Sequence, residues 1–152
     1  MATDRQKSYY KFLIPIQSRW MDNDQFGHIN NAVYYSLFDT AVNIHLYQHC
    51  ETSAEGKLVG FVKSSSCQYF KPMTYPNPIT VGLAVEKLGN TSVTYRVATF
   101  EEKSFGPASS DNEATATGTF VHVYVNKETG KPEPIPEHVR NGLSKLQIKA
   151  SL

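Results

Sequence analysis

The stretch DNDQFGHINNAVYYSLFDTAVNIHLYQH, residues 22–49, decides the fold of this 152-residue chain. Its first ten residues are rich in turn formers, and Gly27 is the one that readily adopts the positive φ of a tight turn. From Ala32 to about His49 there is neither Gly nor Pro, and apolar residues recur at helical spacing. They form two adjacent rows, Val33, Leu37, Ala41, Ile44 and His45 in one and Tyr34, Phe38, Val42 and Leu46 in the other. Because these rows cover most of the circumference, they predict a buried helix.

On both sides of this helix the pattern changes to the alternation that is typical of strands. FLIPIQSRW, residues 12–20, precedes the helix, and Pro15 favours an edge position for that strand. Four more strands, joined to one another by hairpins, are predicted at residues 58–70, 78–87, 93–99 and 113–126, with a turn signal at Gly89-Asn90. We expect a mobile loop at residues 103–113 and a short helix that begins near Pro136. Hairpin neighbours pair antiparallel, so the sequence predicts an α+β fold in which a sheet of about five strands curls around one long helix.

Length and composition indicate one globular domain over residues 1–152, with flexible tails at residues 1–10 and 145–152. Fifteen Lys and Arg against fourteen Asp and Glu give a net charge of +1, which argues against nucleic acid or anionic membrane as a partner. Apolar stretches of only a few residues cannot span a bilayer, and the N-terminus has no apolar core of a secretion signal. Cys50 and Cys67 fall in different predicted elements, so we expect reduced thiols and a cytoplasmic location.

The polar cluster at residues 22–31, directly before the helix, has three interpretations. The first is helix capping by Asn30 or Asn31. The second is a calcium loop, which fails because Phe26 and Val33 stand at ligand positions. The third is catalysis: the start of a buried helix presents unpaired N–H groups that stabilise an oxyanion, and Asp24 lies beside them as nucleophile or general base. Capping and catalysis are compatible with each other.

The run RWMDNDQFGHINNAVYYSLFD, residues 19–39, resembles the hotdog-fold acyl-CoA thioesterases of the 4-hydroxybenzoyl-CoA thioesterase-like branch. The segments SSCQYFKP at 65–72 and LGNTSVTY at 88–95 are similar to the same branch. This resemblance implies hydrolysis of an acyl-CoA to free acid and CoA, at a dimer interface, with no metal and no cofactor. It also implies that Asp24 is the catalytic carboxylate and that the backbone N–H of Asn31 polarises the thioester carbonyl.

Two further residues are candidates for a catalytic role. His28 lies in a run that is similar to the D-x-D-x-x-x-H-x-N-N-x-x-Y run of plant acyl-carrier-protein thioesterases. Those enzymes have an Asn where this chain has Phe26, so His28 either acts in catalysis or organises the loop. Asp39, two turns into the helix, is the rival carboxylate, because another hotdog lineage places its acid at a similar depth. Its alternative role is a buried hydrogen bond or ion pair.

The remaining candidates are residues that contact the substrate: Gly27, Asn30, Tyr34, Tyr35 and Lys71. The two tyrosines would line a slot for the acyl group, and the phosphates of CoA would meet Lys71 or another of the basic residues Lys63, Arg96, Lys127 and Arg140. His45 and His49 have the i, i+4 spacing of a metal pair but no evident third ligand, so no metal site is predicted.

The expected function is therefore a cytoplasmic acyl-CoA thioesterase that forms a homodimer or homotetramer, since a small curled sheet leaves an edge to cover. One alternative is a hotdog enoyl-thioester hydratase, which resembles this chain in the loop but pairs Asp and His as D-x-x-x-x-H. The interval to His28 is one residue too short from Asp24 and one too long from Asp22. Another alternative is a non-catalytic acyl-CoA-binding module, which the fold by itself does not exclude.

Overall fold

The computed structural model describes residues 2–104 and 112–149. Its main elements in chain order are β1 (Phe12–Gln17), α1 (Asn31–His49), β2 (Leu58–Tyr69), β3 (Pro78–Leu88), β4 (Ser92–Glu101), β5 (Ala116–Asn126) and α2 (Glu137–Ser144). The predicted succession of one strand, one long helix, four strands and a short helix is confirmed. Residues 105–111 of the predicted mobile loop lie outside the described residues.

The five strands form one antiparallel sheet in the order β1-β3-β4-β5-β2. β1 is an edge strand, as Pro15 predicts. The expectation of a hairpin between β2 and β3 is wrong, because β2 pairs with β5 and forms the other edge. The eight-residue connection from Phe70 to Asn77 contains two prolines and is too long for a tight turn. It crosses to the far side of the sheet instead, and on the way it passes the loop that precedes α1.

The helix α1 lies across one face of the sheet with both predicted apolar rows turned inward. The members that are buried are Tyr34, Leu37, Phe38, Ala41, Val42, His45 and Leu46. The opposite face of α1, with Asp39, Asn43 and Tyr47, is exposed in the single chain. In the described part of the chain, neither helix combines the length and the apolar character needed to cross a membrane.

Gly118 on β5 is a point of close packing between the sheet and α1. The ring of Phe38 meets the ring of Phe120 edge-on, with centroids 6.2 Å apart. A Cβ at Gly118 would lie 2.6 Å from the backbone oxygen of Ser66 and 2.9 Å from Phe38. Glycine at this position therefore lets the helix and the neighbouring strand approach β5.

The described residues of the two expected flexible tails, 2–10 and 145–149, lie against the sheet. Tyr10 is buried, and its ring lies edge-on to Phe100 at 5.9 Å. At the other end Leu146 is buried, and Gln147 forms a bridge with Val85. Apolar side chains in these segments complete the sheet surface, which is why residues 2–10 and 145–149 lie against the fold.

Candidate active site

Asp24 begins a tight turn that fixes the position of its carboxylate. The backbone N–H of Asp24 donates to the carbonyl of His28 at 2.8 Å, and the N–H of Gly27 donates to the carbonyl of Asp24 at 3.1 Å. Gly27 has φ +80°, as a three-residue hairpin loop of this kind requires. The N–H of Phe26 donates to Oδ1 of Asp24 at 2.8 Å. The half-buried residue Asp24 thus has its carboxylate bonded within the turn, and its backbone lies across from that of His28.

The turn is anchored on the segment that crosses from β2 to β3. The N–H of Ile29 donates to the carbonyl of Met73 at 2.8 Å. The hydroxyl of Thr74 donates to the carbonyl of Gly27 at 2.8 Å, and the N–H of Tyr75 donates to Oδ1 of Asn23 at 3.1 Å. These bonds from residues far apart in sequence restrain the loop without a metal or a disulfide.

Asp22, the first acid of the sequence Asp22-Asn23-Asp24, has a structural role. Asp22 is buried, and its side chain accepts from the backbone N–H of Arg19 at 2.7 Å and from the Arg19 guanidinium at 2.8 Å. Its backbone carbonyl accepts from the N–H of Asn30 at 2.9 Å. Asp22 therefore joins the two ends of the loop, whereas the carboxylate of Asp24 accepts from the N–H of Phe26 within the turn.

The first turn of α1 leaves one backbone donor unused. Asn30 is the N-cap: its Oδ1 accepts from the N–H of Ala32 at 2.9 Å, and its carbonyl accepts from the N–H of Val33 at 2.9 Å. The predicted capping role is confirmed for Asn30. Among the residues that the structure describes, none accepts the N–H of Asn31. The positive end of the helix dipole therefore coincides with a free N–H group.

A groove of about 320 Å³ opens at this helix start. Its lining consists of His28, Ile29, Asn31, Tyr34, Tyr69, Phe70, Lys71 and Pro72. Four of these are predicted site residues, His28, Asn31, Tyr34 and Lys71. The groove is therefore mainly apolar and aromatic, with the imidazole of His28 and the ammonium group of Lys71 at its border.

Two tyrosines form the aromatic part of the groove. The rings of Tyr34 and Tyr69 meet edge-on with centroids 5.0 Å apart, and the hydroxyl of Tyr69 donates to the carbonyl of Asn31 at 2.8 Å. Burial raises the pKa of Tyr34 to about 12 and also raises the pKa of Tyr69. Both hydroxyls are therefore protonated at neutral pH, and Tyr69 holds the first helical residue in place.

Other predicted residues lie outside the lining of the groove. Asp24 and Gly27 belong to the turn beside it, and Asn30 caps the helix. The ring of Tyr35 is directed to the next face of α1, 6.3 Å from Phe120, because adjacent helical residues do not share a face. Tyr35 is therefore not brought to this groove.

Asp39 is also remote from the groove. It is exposed, so the expectation of a buried hydrogen bond or ion pair at this position is wrong. Its Oδ1 accepts from Nδ2 of Asn43 at 3.3 Å, one turn further along α1.

The groove also contains a residue that is not predicted from the sequence, Tyr69. Its position follows from the pairing of β2 with β5, which brings the end of β2 under the start of α1. The only local signal is the pair of aromatic residues Tyr69-Phe70 directly before Lys71-Pro72.

The described residues, 2–104 and 112–149, offer no cluster of metal ligands. No three His, Cys, Asp or Glu side chains there are grouped so as to hold a metal ion. The rings of His45 and His49 pack against Phe12 at 5.1 and 5.6 Å, in an aromatic cluster.

Residues 18–143 match the model of the thioesterase-like superfamily. The crystal structure of the PA5185 protein from Pseudomonas aeruginosa strain PAO1 is similar at TM-score 0.88 and 42% identity, over 97% of this chain and 99% of that one. A thioesterase from Thermus thermophilus, complexed with coenzyme A and Zn, is similar at TM-score 0.70 and 26% identity, over 90% and 94% of the two chains. The protein YsmA of Bacillus subtilis (strain 168) is 25% identical over 132 residues, 86% of this chain and 84% of that protein.

Proposed function

Since the chain belongs to the thioesterase-like superfamily and has its hotdog fold, we propose that it hydrolyses an acyl-CoA thioester to the free acid and CoA. The observation that carries this proposal is the free N–H at Asn31, a residue that lines an aromatic groove beside the turn that holds Asp24.

The thioester carbonyl oxygen is placed at the N–H of Asn31. Attack on the carbonyl carbon puts negative charge on this oxygen, and the N–H together with the helix dipole stabilises that charge. Donors of this type are worth about 100- to 1000-fold in rate each. The bond from the hydroxyl of Tyr69 to the carbonyl of Asn31 keeps this donor oriented.

Asp24 supplies the base or the nucleophile. As a base, its carboxylate takes a proton from water while the water oxygen adds to the carbonyl carbon. The tetrahedral intermediate then collapses, the C–S bond breaks, and the CoA thiolate leaves with the proton that Asp24 returns. As a nucleophile, the carboxylate attacks the carbonyl carbon, the C–S bond breaks and the CoA thiolate leaves, so that a mixed anhydride forms. Water then hydrolyses the anhydride in a second step, which restores the carboxylate of Asp24 and supplies the proton for the thiolate. The backbone bond between Asp24 and His28 supports either role, because it brings the turn to the border of the groove.

The groove offers distinct places for the two parts of the substrate. The apolar acyl group lies against the rings of Tyr34 and Tyr69, and Lys71 meets a phosphate group of CoA. The complex of the similar Thermus thermophilus thioesterase with coenzyme A supports CoA as the thiol carrier.

A second copy of the chain completes the site in this proposal. β2 is a twelve-residue edge strand on which Val59, Phe61 and Val62 are exposed, Phe61 to 64%. Such an edge invites pairing with another strand. Antiparallel pairing of β2 with its counterpart in a second copy covers the open backbone edge and extends the sheet through a two-fold axis.

Release of free thiol from short, long and aromatic acyl-CoAs tests the proposed reaction. We expect Asp24→Asn to lower kcat/KM by about 100- to 10,000-fold with an unchanged free energy of unfolding. The matched control is Glu128→Gln, which neutralises an exposed carboxylate remote from the groove. Activity that survives in Asp24→Asn but is lost in Asp39→Asn would refute the assignment of Asp24. Binding of acyl-CoA without thiol release would identify a binding module instead.

Phe61→Asp tests the proposed dimer. Analytical ultracentrifugation should find a monomer, because the substitution places a charge in the paired edge, and thiol release should fall with dimerisation. A wild-type chain that sediments as a monomer while fully active would refute a site shared between two copies.

A further inference from the structure

A second pocket lies between the exposed face of α1 and strands β2 and β5. Its volume is about 160 Å³. Its polar lining includes Asp39, Asn43, Thr52, His122 and Tyr124. From Asn31 to Asn43 the helix advances about 18 Å, so this pocket is separate from the thioester groove of the same chain.

His122 is the central polar group of this pocket. Along β5 the residues Phe120, His122 and Tyr124 alternate onto the face that meets α1, and His122 is only 3% exposed. Both of its ring nitrogens have no hydrogen-bond partner among the described residues. A Cβ at Gly60 on the paired strand would lie 3.0 Å from Nδ1 of His122, so glycine there makes room for the ring.

Two more buried polar atoms in the lining lack partners among residues 2–104 and 112–149. They are the hydroxyl oxygens of Tyr124 and Thr52. Buried hydrogen-bonding groups in folded proteins almost always have a partner, from the protein or from a bound molecule. Four such atoms around one pocket indicate an occupant that both donates and accepts hydrogen bonds.

The two charged side chains in the lining have opposite signs, so they do not favour an anion over a cation. They are the carboxylate of Asp39 and the ammonium group of Lys127, which donates to the carbonyl of Ala54 at 2.5 Å. Burial lowers the pKa of His122, and the nearby Asp39 offsets this only in part. At neutral pH His122 is therefore uncharged and presents one N–H donor and one bare nitrogen acceptor.

The size of the pocket fits a single ring. An engineered apolar cavity of about 150 Å³ holds one benzene molecule. The walls here include the apolar side chains of Leu46, Leu58 and Val62. We propose that this pocket binds a neutral, hydroxyl-bearing molecule the size of one six-membered ring, with its hydroxyl group at His122 and Tyr124. The inference goes beyond the proposed hydrolysis and does not depend on it.

Phenol and toluene are matched probes, because they share a ring and differ in a hydroxyl against a methyl group. Titration calorimetry on the assembled protein should give phenol an affinity about 2- to 10-fold above that of toluene, as one hydrogen bond provides. In His122→Phe the preference for phenol should vanish, while the control His49→Phe, at an exposed histidine outside the lining, should keep it.

Nitrogen-15 NMR of the wild-type histidines provides a readout that needs no variant. Phenol should shift the ring nitrogen signals of His122, and toluene should shift them less. Equal affinities for the two probes, a preference that survives in His122→Phe, or unmoved His122 signals would overturn the proposal. Absence of binding would overturn it too, and would assign the pocket to water or to a second copy. Thiol release plays no part in these readouts, so the outcome is independent of the thioesterase assignment.

Discussion

Gly27→Ala isolates the contribution of backbone conformation to the placement of Asp24. Gly27 has φ +80°, and a Cβ built on it meets no atom within 4 Å. The substitution therefore introduces no clash, and its cost is the strain of a left-handed conformation at a residue with a Cβ. That strain is about 1–2 kcal/mol for alanine and smaller for asparagine, whose short polar side chain tolerates the conformation.

The strain acts on the turn that joins Asp24 to His28, so it should change stability and activity together. We expect the free energy of unfolding to fall by about 1–2 kcal/mol in Gly27→Ala and by less in Gly27→Asn. Relief of the same strain by opening the turn lowers kcat/KM for acyl-CoA by at most about 5- to 30-fold. That loss is smaller than the loss expected for Asp24→Asn, because the carboxylate is displaced for part of the time rather than removed.

Urea unfolding and thiol release on the same preparations measure both quantities. The control is Gln25→Ala, in the same exposed loop without the conformational demand. Equal effects of alanine and asparagine at position 27, or a Gly27→Ala protein as stable and as active as the wild type, would refute a role of this backbone conformation in placing Asp24.

Three further expectations concern stability and the helix start. Burial first, and then the nearby charge of His49, lowers the pKa of His45 to about 4. Between pH 6.5 and 4 this histidine therefore binds more protons in the unfolded chain than in the folded one. Up to about 3 kcal/mol of the free energy of unfolding should be lost as the pH falls through that window. Urea unfolding at several pH values measures this loss. Gly118→Ala should destabilise by about 1–3 kcal/mol in the same assay, because the new Cβ would overlap the packed helix. Tyr69→Phe removes the bond to the carbonyl of Asn31 and should cost about 0.5–1.5 kcal/mol, with a decrease in kcat larger than any change in KM.

Each of these three predictions can be contradicted by a specific result. A pH slope that is unchanged in His45→Gln would assign the proton uptake to other groups. A Gly118→Ala protein as stable as wild type would mean that the helix shifts freely on the sheet. A Tyr69→Phe protein with a raised KM and an unchanged kcat would indicate that Tyr69 only binds substrate.

The elements of the fold are predictable from sequence where the signal is local. The two apolar rows of α1 and the alternation of β3 to β5 give the right bounds within a few residues. The pairing of β2 is not local: nothing in residues 58–70 distinguishes a hairpin with β3 from an edge position beside β5. Prolines at positions 72 and 76 argue against a tight turn, but they do not specify the destination of the chain.

The site is predictable to a similar extent. Asn30 as the cap, Gly27 as the turn residue and Asn31 at the helix start all follow from one continuous segment. Tyr69 does not, because only the sheet order brings it to Asn31. His122 lies in the regular strand pattern FVHVYV, where one histidine among apolar residues gives no local sign that its ring nitrogens lack partners.

The physics of the helix favours Asp24 over Asp39 as the acid. In the interior of α1 each backbone N–H is bonded to the carbonyl four residues earlier, so no amide beside Asp39 is free to stabilise an oxyanion. Only the first turn has such a donor, and the cap of Asn30 uses the N–H groups of Ala32 and Val33 while leaving that of Asn31 free. A carboxylate that attacks or deprotonates must act within reach of this donor. The turn of Asp24 is tied to the groove through the backbone of His28, whereas Asp39 lies two turns away on the exposed face of the helix.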